Sequence, residues 1–371
     1  MKWNWQSPDW PKFKWDRSRL AAAEQQFLLG SGVAIGTVKH LAEDERNHLL
    51  VEMMSGEAVT TSAIEGEVLN RASVQSSILL KLGLASPDKR RILPAEQGIA
   101  ETMVDLYRSF SQPLSDEMLF RWHRMITAGR KDLADIGKYR TGREPMQVVS
   151  GPIGHSKVHF EAPPSRRVPA EMKRFISWFN RTAPKGKEPL PAITRAGTAH
   201  LFFESIHPFE DGNGRIGRAI AEKAIAQSFG QPVLVSLATT ILAHQKRYYL
   251  ALAKANRQTE ITEWLVWFAA IAVEAQRRSI AQVEFILAKS KMLDRLRSQI
   301  NERQQKALLR MFKEGLDGFK GGLSAGNYST ITGASPATTT RDLAGLVESG
   351  VLIRSGERKH ARYTLNLTDS S

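Results

Sequence analysis

The first twenty or so residues, MKWNWQSPDWPKFKWD and onward, interleave Trp with Pro, Lys and Asp. They show neither the 3.6-residue period of a helix nor the alternation of a strand, and the pattern predicts a tryptophan-anchored arm lying on the first domain. From Ala21 the chain becomes helix-rich. Apolar residues at Leu41, Leu49, Met53 and Ile64 keep helical spacing, and Gly66 follows where a left-handed helix stop belongs. Between Tyr139 and Pro164 that period disappears. MQVVSGPIGHSKVHFEAPP reads instead as two extended runs, Gln147–Val149 and Lys157–Phe160, joined by a Gly-Pro-Ile-Gly turn. Helical patterns resume at Ala170–Phe179 and at Ile193–Ile206, where Ile193, Ala196, Ala199, Phe202 and Ile206 share a stripe, and again at about 218–228, 236–257 and 260–297.

The last seventy or so residues read differently. NERQQKALLRMFKEG, LSAGNYSTITG and SPATTTRDLAGLVESG are three helices, and VLIRSGERKHARYTLNL gives two strands around a Ser-Gly-Glu-Arg turn. Three helices and a hairpin are the order of a winged helix. The expected fold class is mainly α, with one early β-hairpin and a C-terminal winged-helix (α+β) module, divided as 1–95, 96–285 and 291–371.

Composition narrows the chemistry. The chain of 371 residues has no cysteine, which excludes thiol nucleophiles, thiolate metal sites and disulfides and suits a reducing cytoplasm. No signal-peptide core and no run of eighteen apolar residues is present, so the expectation is a cytoplasmic protein with no membrane partner. A net charge of +14 favours polyanionic partners without choosing among nucleic acid, nucleotide phosphates and acidic protein.

Reactive and glycine residues concentrate in HPFEDGNGRIGR, His207 to Arg218. Gly212, Gly214 and Gly217 match a dinucleotide GxGxxG, but no strand precedes them and no Asp or Glu lies between Glu222 and Glu260, so that reading fails. Gly212 and Gly214 leave backbone amides bare just before a helix expected from Arg218, an anion cradle. Arg215 and Arg218 add fixed positive charge on one helix face, which suits a polyphosphate. Asp211 is the residue here suited to Mg2+ bridging phosphate oxygens, and His207, expected exposed in a loop, can take a proton from a hydroxyl. Together these describe transfer of a phosphorus-bearing group to a hydroxyl. The alternative is a polar interhelical loop with a glycine stop.

HPFEDGNGRIGR resembles, position for position, the HxFx(D/E)GNGRxxR signature of the Fic family, whose members in most studied cases move AMP from ATP to a Ser, Thr or Tyr hydroxyl of a protein. The resemblance spans roughly residues 40 to 260 and implies a Fic-type helical bundle with a β-hairpin flap. It makes His207 the general base, Phe209 a core anchor and Asp211 the Mg2+ ligand. Asn213 and the amides of Gly212 and Gly214 would hold the α- and β-phosphates of ATP, and Arg215 and Arg218 the β- and γ-phosphates. The hairpin, with Val149, Ser150 and Gly151, sits where the family's flap clamps the target by strand addition. Tyr248 and Asn256 match positions lining the base, though helix packing explains them as well. TSAIEG resembles the family's inhibitory motif, with Thr61, Glu65 and Gly66, and implies that Glu65 pairs with Arg218; the competing reading is a capping box, Ser62 to Glu65.

Arg341, Arg354, Arg358, Lys359 and Arg362 cluster on the expected recognition helix and wing. From Lys291 onward thirteen Lys and Arg face eight Asp and Glu, a net of +5 that suits phosphate contacts. DNA binding and a packing or dimer role for this module, homodimerisation included, both remain open. The expected function is Mg2+-dependent adenylylation of a target protein, or of the chain itself, restrained by Glu65. The alternatives are removal of AMP, transfer of another phosphate moiety, or a DNA-binding regulator with a nucleotide-sensing Fic domain.

Overall fold

The apolar periods of the chain become helices in the computed structural model, which describes residues 2–39, 41–86, 92–150, 157–232, 235–297, 299–316, 318–319 and 321–367. In chain order these are α1 (Ala21–Lys39), α2 (Glu43–Ile64), α3 (Arg71–Leu82), α4 (Pro94–Ser109), α5 (Asp116–Ile126), the hairpin β1 (Gln147–Ser150) and β2 (Lys157–Glu161), α6 (Val168–Arg181), α7 (Ala192–Ile206) and α8 (Asn213–Phe229). They continue as α9 (Leu237–Ala243), α10 (Gln245–Ala255), α11 (Thr262–Leu296), α12 (Glu302–Lys313), α13 (Ala325–Thr332), α14 (Pro336–Glu348) and the hairpin β3 (Leu352–Ser355) and β4 (Arg362–Leu365). Two compact units result, one joining Met1–Gly36 to Leu50–Ser279, the other Thr37–Leu49 to Ile280–Ser371. The boundary expected at 95/96 therefore falls inside the first unit.

In the first unit α7 is buried from Ile193 to Ile206, and a helix covered on every side must be short of bulk and of unpaired charge. Gly197 supplies the first condition: a Cβ there would stand 2.9 Å from both Leu265 and Phe268, and its carbonyl accepts the Trp264 indole N–H at 2.8 Å. Arg195 meets the second by donating to the carbonyls of Phe179 (2.9 Å) and Ala224 (3.2 Å) while lying over the Phe179 ring. A loop from His207 to Gly212 turns the chain into α8, which is buried along most of its length. The tryptophan arm packs as expected, with Trp3, Trp5 and Trp10 each under a tenth exposed and Trp10 set edge-on to Phe202 at 5.2 Å.

The early hairpin is antiparallel and pairs Val148 with Phe160 and Val149 with Val158, its register shifting between Val148 and Val149. Its expected turn, with Gly151, lies outside the described residues.

The second unit carries three helices followed by the β3–β4 hairpin, to which Leu323 adds a third rung opposite Tyr363. Its helices are tied at Asp342, which is buried and accepts from Arg303 (2.9 Å), Tyr328 (3.0 Å) and Asn301 (3.2 Å). Ser335 caps α14 by accepting from the Thr338 N–H.

Three elements differ from expectation. α8 begins at Asn213, not Arg218, because Gly212 in the left-handed region serves as its N-cap. The helix expected over 236–257 breaks at His244 into α9 and α10. α3, α4 and α5 fill a stretch for which no element was expected.

Candidate active site

The C-terminal end of α7 and the N-terminal end of α8 place the reactive residues. His207 ends α7 in the left-handed region (φ 50°), which turns its ring away from the helix axis. The ring is largely covered rather than exposed as expected, with 16% of the side chain accessible. Its Nδ1 faces the buried Glu204 carboxylate at 3.6 Å and has no hydrogen-bond partner, so the accessible part of the ring is the far side. Burial pushes the Glu204 carboxyl up, but contact with His207 and the charges of His200 and Arg218 outweigh it and hold the group below its ordinary value. Phe209 is fully buried, stacked on the His123 ring at 4.2 Å.

Beyond Phe209 the loop is stapled by Asn213, whose side chain accepts from the Phe209 N–H at 3.0 Å and donates to the Phe209 carbonyl at 2.8 Å. The Asn213 side chain is thus engaged with the Phe209 backbone at both its oxygen and its nitrogen. No side chain caps the first turn of α8, so its leading amides keep their positive end free for an anion.

Asp211 is one-third exposed beside this turn. It accepts from the Gly212 N–H at 2.5 Å and from Arg130, and Arg215 lies 3.5 Å away. Burial raises this carboxyl, and the Arg215 charge, the Gly212 N–H and Arg130 more than reverse that, leaving it below the ordinary range. Among the described residues no three His, Cys, Asp or Glu gather to hold a metal. A lone carboxylate beside an anion cradle fits Mg2+ only of the kind that takes most of its ligands from phosphate and water.

Both arginines of the segment are taken. Arg218, fully buried, donates to Glu65 at 2.7 Å and to the hydroxyl and carbonyl of Thr61 at 2.7 and 2.9 Å, leaving Nη1 without a partner. Gly66, at φ 82°, ends α2 as a stop, and Ser62 lies buried inside that helix, so the turn is not a capping box. Glu65 reaches over α8 because residue 214 is glycine: a Cβ there would stand 2.1 Å from its Oε1. Arg215 donates to Glu67 at 2.7 Å.

The comparisons with known proteins agree with this geometry. The sequence profile of the Fic/DOC family matches residues 113–225, and that of a domain of unknown function, DUF4172, matches residues 3–84. The chain is 26% identical over 231 residues to protein adenylyltransferase fic-1 of Caenorhabditis elegans, covering 58% of this chain and 41% of that protein. It is 26% identical over 201 residues to the Caenorhabditis briggsae protein of the same name, covering 53% and 35%. It thus spans about two fifths of the length of these curated relatives. Among solved structures it resembles a Fic family protein from Desulfovibrio desulfuricans (TM-score 0.52, 22% identity, 92% of this chain and 95% of that one). It also resembles a Fic-domain signaling protein from Bacteroides thetaiotaomicron (TM-score 0.53, 18% identity, 71% and 97%). Residues 113–225 are a Fic/DOC family domain.

Beyond the Fic/DOC match, Tyr248 and Asn256 are interior residues. Tyr248 is 2% exposed with its hydroxyl on His200 at 2.9 Å, and Asn256 is 3% exposed with its side chain on Ser205 at 3.2 Å. Val149 lies on the exposed face of the Fic hairpin, and Ser150 belongs to β1 by its backbone.

The motif missed its long-range partners. Arg130 joins Asp132 through Nε and Nη2 (2.7 and 2.6 Å) and holds Asp211 with Nη1, standing where a cation would. His123 accepts the Gly137 N–H at 2.9 Å, so its other nitrogen donates to the Asp211 carbonyl at 3.2 Å. Arg140 donates to the carbonyls of His207 (2.8 Å) and Pro163 (2.5 Å), coupling the Fic histidine to the foot of the hairpin. Gln245 and Tyr249, rather than Tyr248, reach the end of α2, each donating to the Ile64 carbonyl at 3.0 Å. None of these carries a local sequence signal.

In the second unit Arg341, Arg354 and Arg358 are exposed. Arg362 is half-buried and donates to the Ala361 carbonyl, while the Lys359 side chain lies outside the described residues.

Proposed function

We propose that the protein moves AMP from ATP to a Ser, Thr or Tyr hydroxyl of a target protein, or of itself, with Mg2+ held at Asp211, and that Glu65 restrains the reaction. The observation that carries this reading is the convergence of His207, the partly exposed Asp211 carboxylate and an uncapped helix start bearing two arginines. His207 takes the proton from the target hydroxyl as its oxygen bonds to the α-phosphorus. The bond from that phosphorus to the bridging oxygen breaks, and pyrophosphate leaves with the electron pair. The amides opening α8, with Arg215 and Arg218, hold phosphate oxygens and stabilise the charge that builds on them. Bound Mg2+ would add neutralisation of the leaving phosphates. Three valines of the hairpin, Val148, Val149 and Val158, are more than a third exposed, a surface suited to pairing with an extended target segment. Glu65, paired with Arg218 above Gly214, fills space that a phosphate would need.

Purified wild type, Glu65→Gly and Glu65→Gly/His207→Ala, given Mg2+ with α-labelled or γ-labelled ATP, test the reading. Label on protein from α-labelled ATP, stronger in Glu65→Gly and absent in the double variant, is the expected result. Label from the γ-position alone replaces the reaction by phosphorylation. No label from either moves the reading to removal of AMP or to nucleotide sensing.

We propose further that the second unit is a winged helix that contacts DNA phosphates, a reading supported by the exposure of Arg341, Arg354 and Arg358 on α14 and around the hairpin.

A further inference from the structure

We infer that the N-terminal arm is a positioning device for the reaction, setting the β1–β2 hairpin against His207 through Trp3, Asn4 and Trp5. These three residues lie within a region whose profile match carries no function, and their contacts join the foot of the hairpin, the last turn of α7 and the end of α10. Trp5 donates its indole N–H to the carbonyl of Glu161, the last residue of β2, at 2.7 Å. Trp3 sets its ring edge-on to Phe160 at 5.3 Å, and Phe160 is the residue paired with Val148 across the hairpin. Arg167 and Arg257 lie over the outer faces of these rings, 5.2 Å from Trp5 and 3.5 Å from Trp3. Between the tryptophans Asn4, fully buried, donates its side-chain N–H to Ser205 at 2.8 Å and its backbone N–H to the Asn256 carbonyl at 2.8 Å. Ser205 stands two residues before His207. One short 3-10 turn, Asn4–Gln6, therefore grips both the strand that ends the hairpin and the helix that ends in the histidine.

The consequence is mechanical. A two-stranded hairpin is marginal by itself, and its placement relative to a fixed base depends on what its foot is tied to. Arg140 makes one tie, from His207 to Pro163; the arm makes the second, at Phe160 and Glu161 just before it and from a different direction, and two ties restrain an orientation where one leaves a hinge. A target strand added to the hairpin edge would present its hydroxyl within reach of His207 only while that orientation holds.

The catalytic half of this inference rests on the transfer reading above; the structural half does not. The full chain carrying Trp5→Phe, which keeps the ring and loses the one N–H, is compared with wild type by amide hydrogen exchange. Trp264→Phe is the control, because it loses an indole bond of the same kind to the Gly197 carbonyl in α7. The expected result is exchange at the ladder amides of β1 and β2 at least tenfold faster in Trp5→Phe, with α8 unchanged and with the hairpin of Trp264→Phe as in wild type. Hairpin exchange that stays at the wild-type rate in Trp5→Phe, or that rises equally in Trp264→Phe, overturns the brace. In the Glu65→Gly background with α-labelled ATP, Trp5→Phe is expected to lower the ratio of protein-bound label to free AMP several-fold at unchanged total ATP consumption. An unchanged ratio overturns the positioning role. Absence of both label and free AMP in Glu65→Gly itself counts against the transfer reading, and the exchange result still decides the brace.

Discussion

Glu67 follows Glu65 by two residues and holds the second arginine of the loop, so the turn after α2 carries two carboxylates for two guanidiniums. Arg215 is nearly covered while Glu67 is one-third exposed, and such a partly buried pair is worth more than a surface one. In the Glu65→Gly background, Glu67→Gln is expected to tighten ATP about three- to tenfold, about 1 kcal/mol, by isothermal titration; unchanged affinity would mean that Arg215 is not recruited to the nucleotide. His123 makes a prediction of another kind. Burial, with the Arg215 charge nearby, pushes its pKa down to about 4. The unfolded chain takes up a proton from about pH 6.5 downward while the folded ring resists until about 4, so the contribution of His123 to stability is whole above pH 6.5 and drains away between these values. Urea unfolding at pH 7.5 and pH 4.5 should show the stability gap between wild type and His123→Phe narrowing by ~2–3 kcal/mol on acidification. At this scale His207, Asp211, Arg218 and Glu65 were legible because their chemistry is written within short segments. Arg130, His123 and Arg140 were not, since each acts on a residue some seventy to ninety positions away that only the fold brings near.

The α7–loop–α8 hairpin is the element on which the site depends, and Asn213, itself buried, closes it with two bonds to the buried Phe209. Asn213→Ala leaves the N–H and carbonyl of Phe209 buried and unpaired, a loss of ~2–3 kcal/mol. Chemical denaturation should show that drop, with faster amide exchange across residues 207–213; a neutral substitution would mean that packing of Phe209 alone shapes the loop. Helical period identified α2, α6, α7 and α11 to within a few residues because apolar residues recur along each at helical spacing. It placed the start of α8 five residues late, since Gly-Asn-Gly reads as loop and nothing local shows that Gly212 can cap a helix whose first turn is left open. The break at His244 has no glycine or proline to announce it.

Across the whole molecule the +14 charge is spread over both units, and the last eighty or so residues carry a net +5 of it. If Arg341, Arg354 and Arg358 meet phosphates, wild type should retard a labelled duplex at low salt with a log–log salt slope near −3. Replacing all three with Ala should abolish most of that slope while leaving adenylate transfer intact; no retardation even at low salt would return the module to packing. The close approach over Gly214 reaches further than its distance suggests. On the proposed reading a carboxylate tip and a phosphate oxygen would contend for that volume, and Glu65 would act as a tethered competitor whose local concentration is fixed by the length of its own turn. Its grip would then be the same in a dilute cell and a crowded one, and would be weakened by whatever raises free nucleotide. The balance between rest and action would follow the energy charge of the surroundings rather than the abundance of the protein.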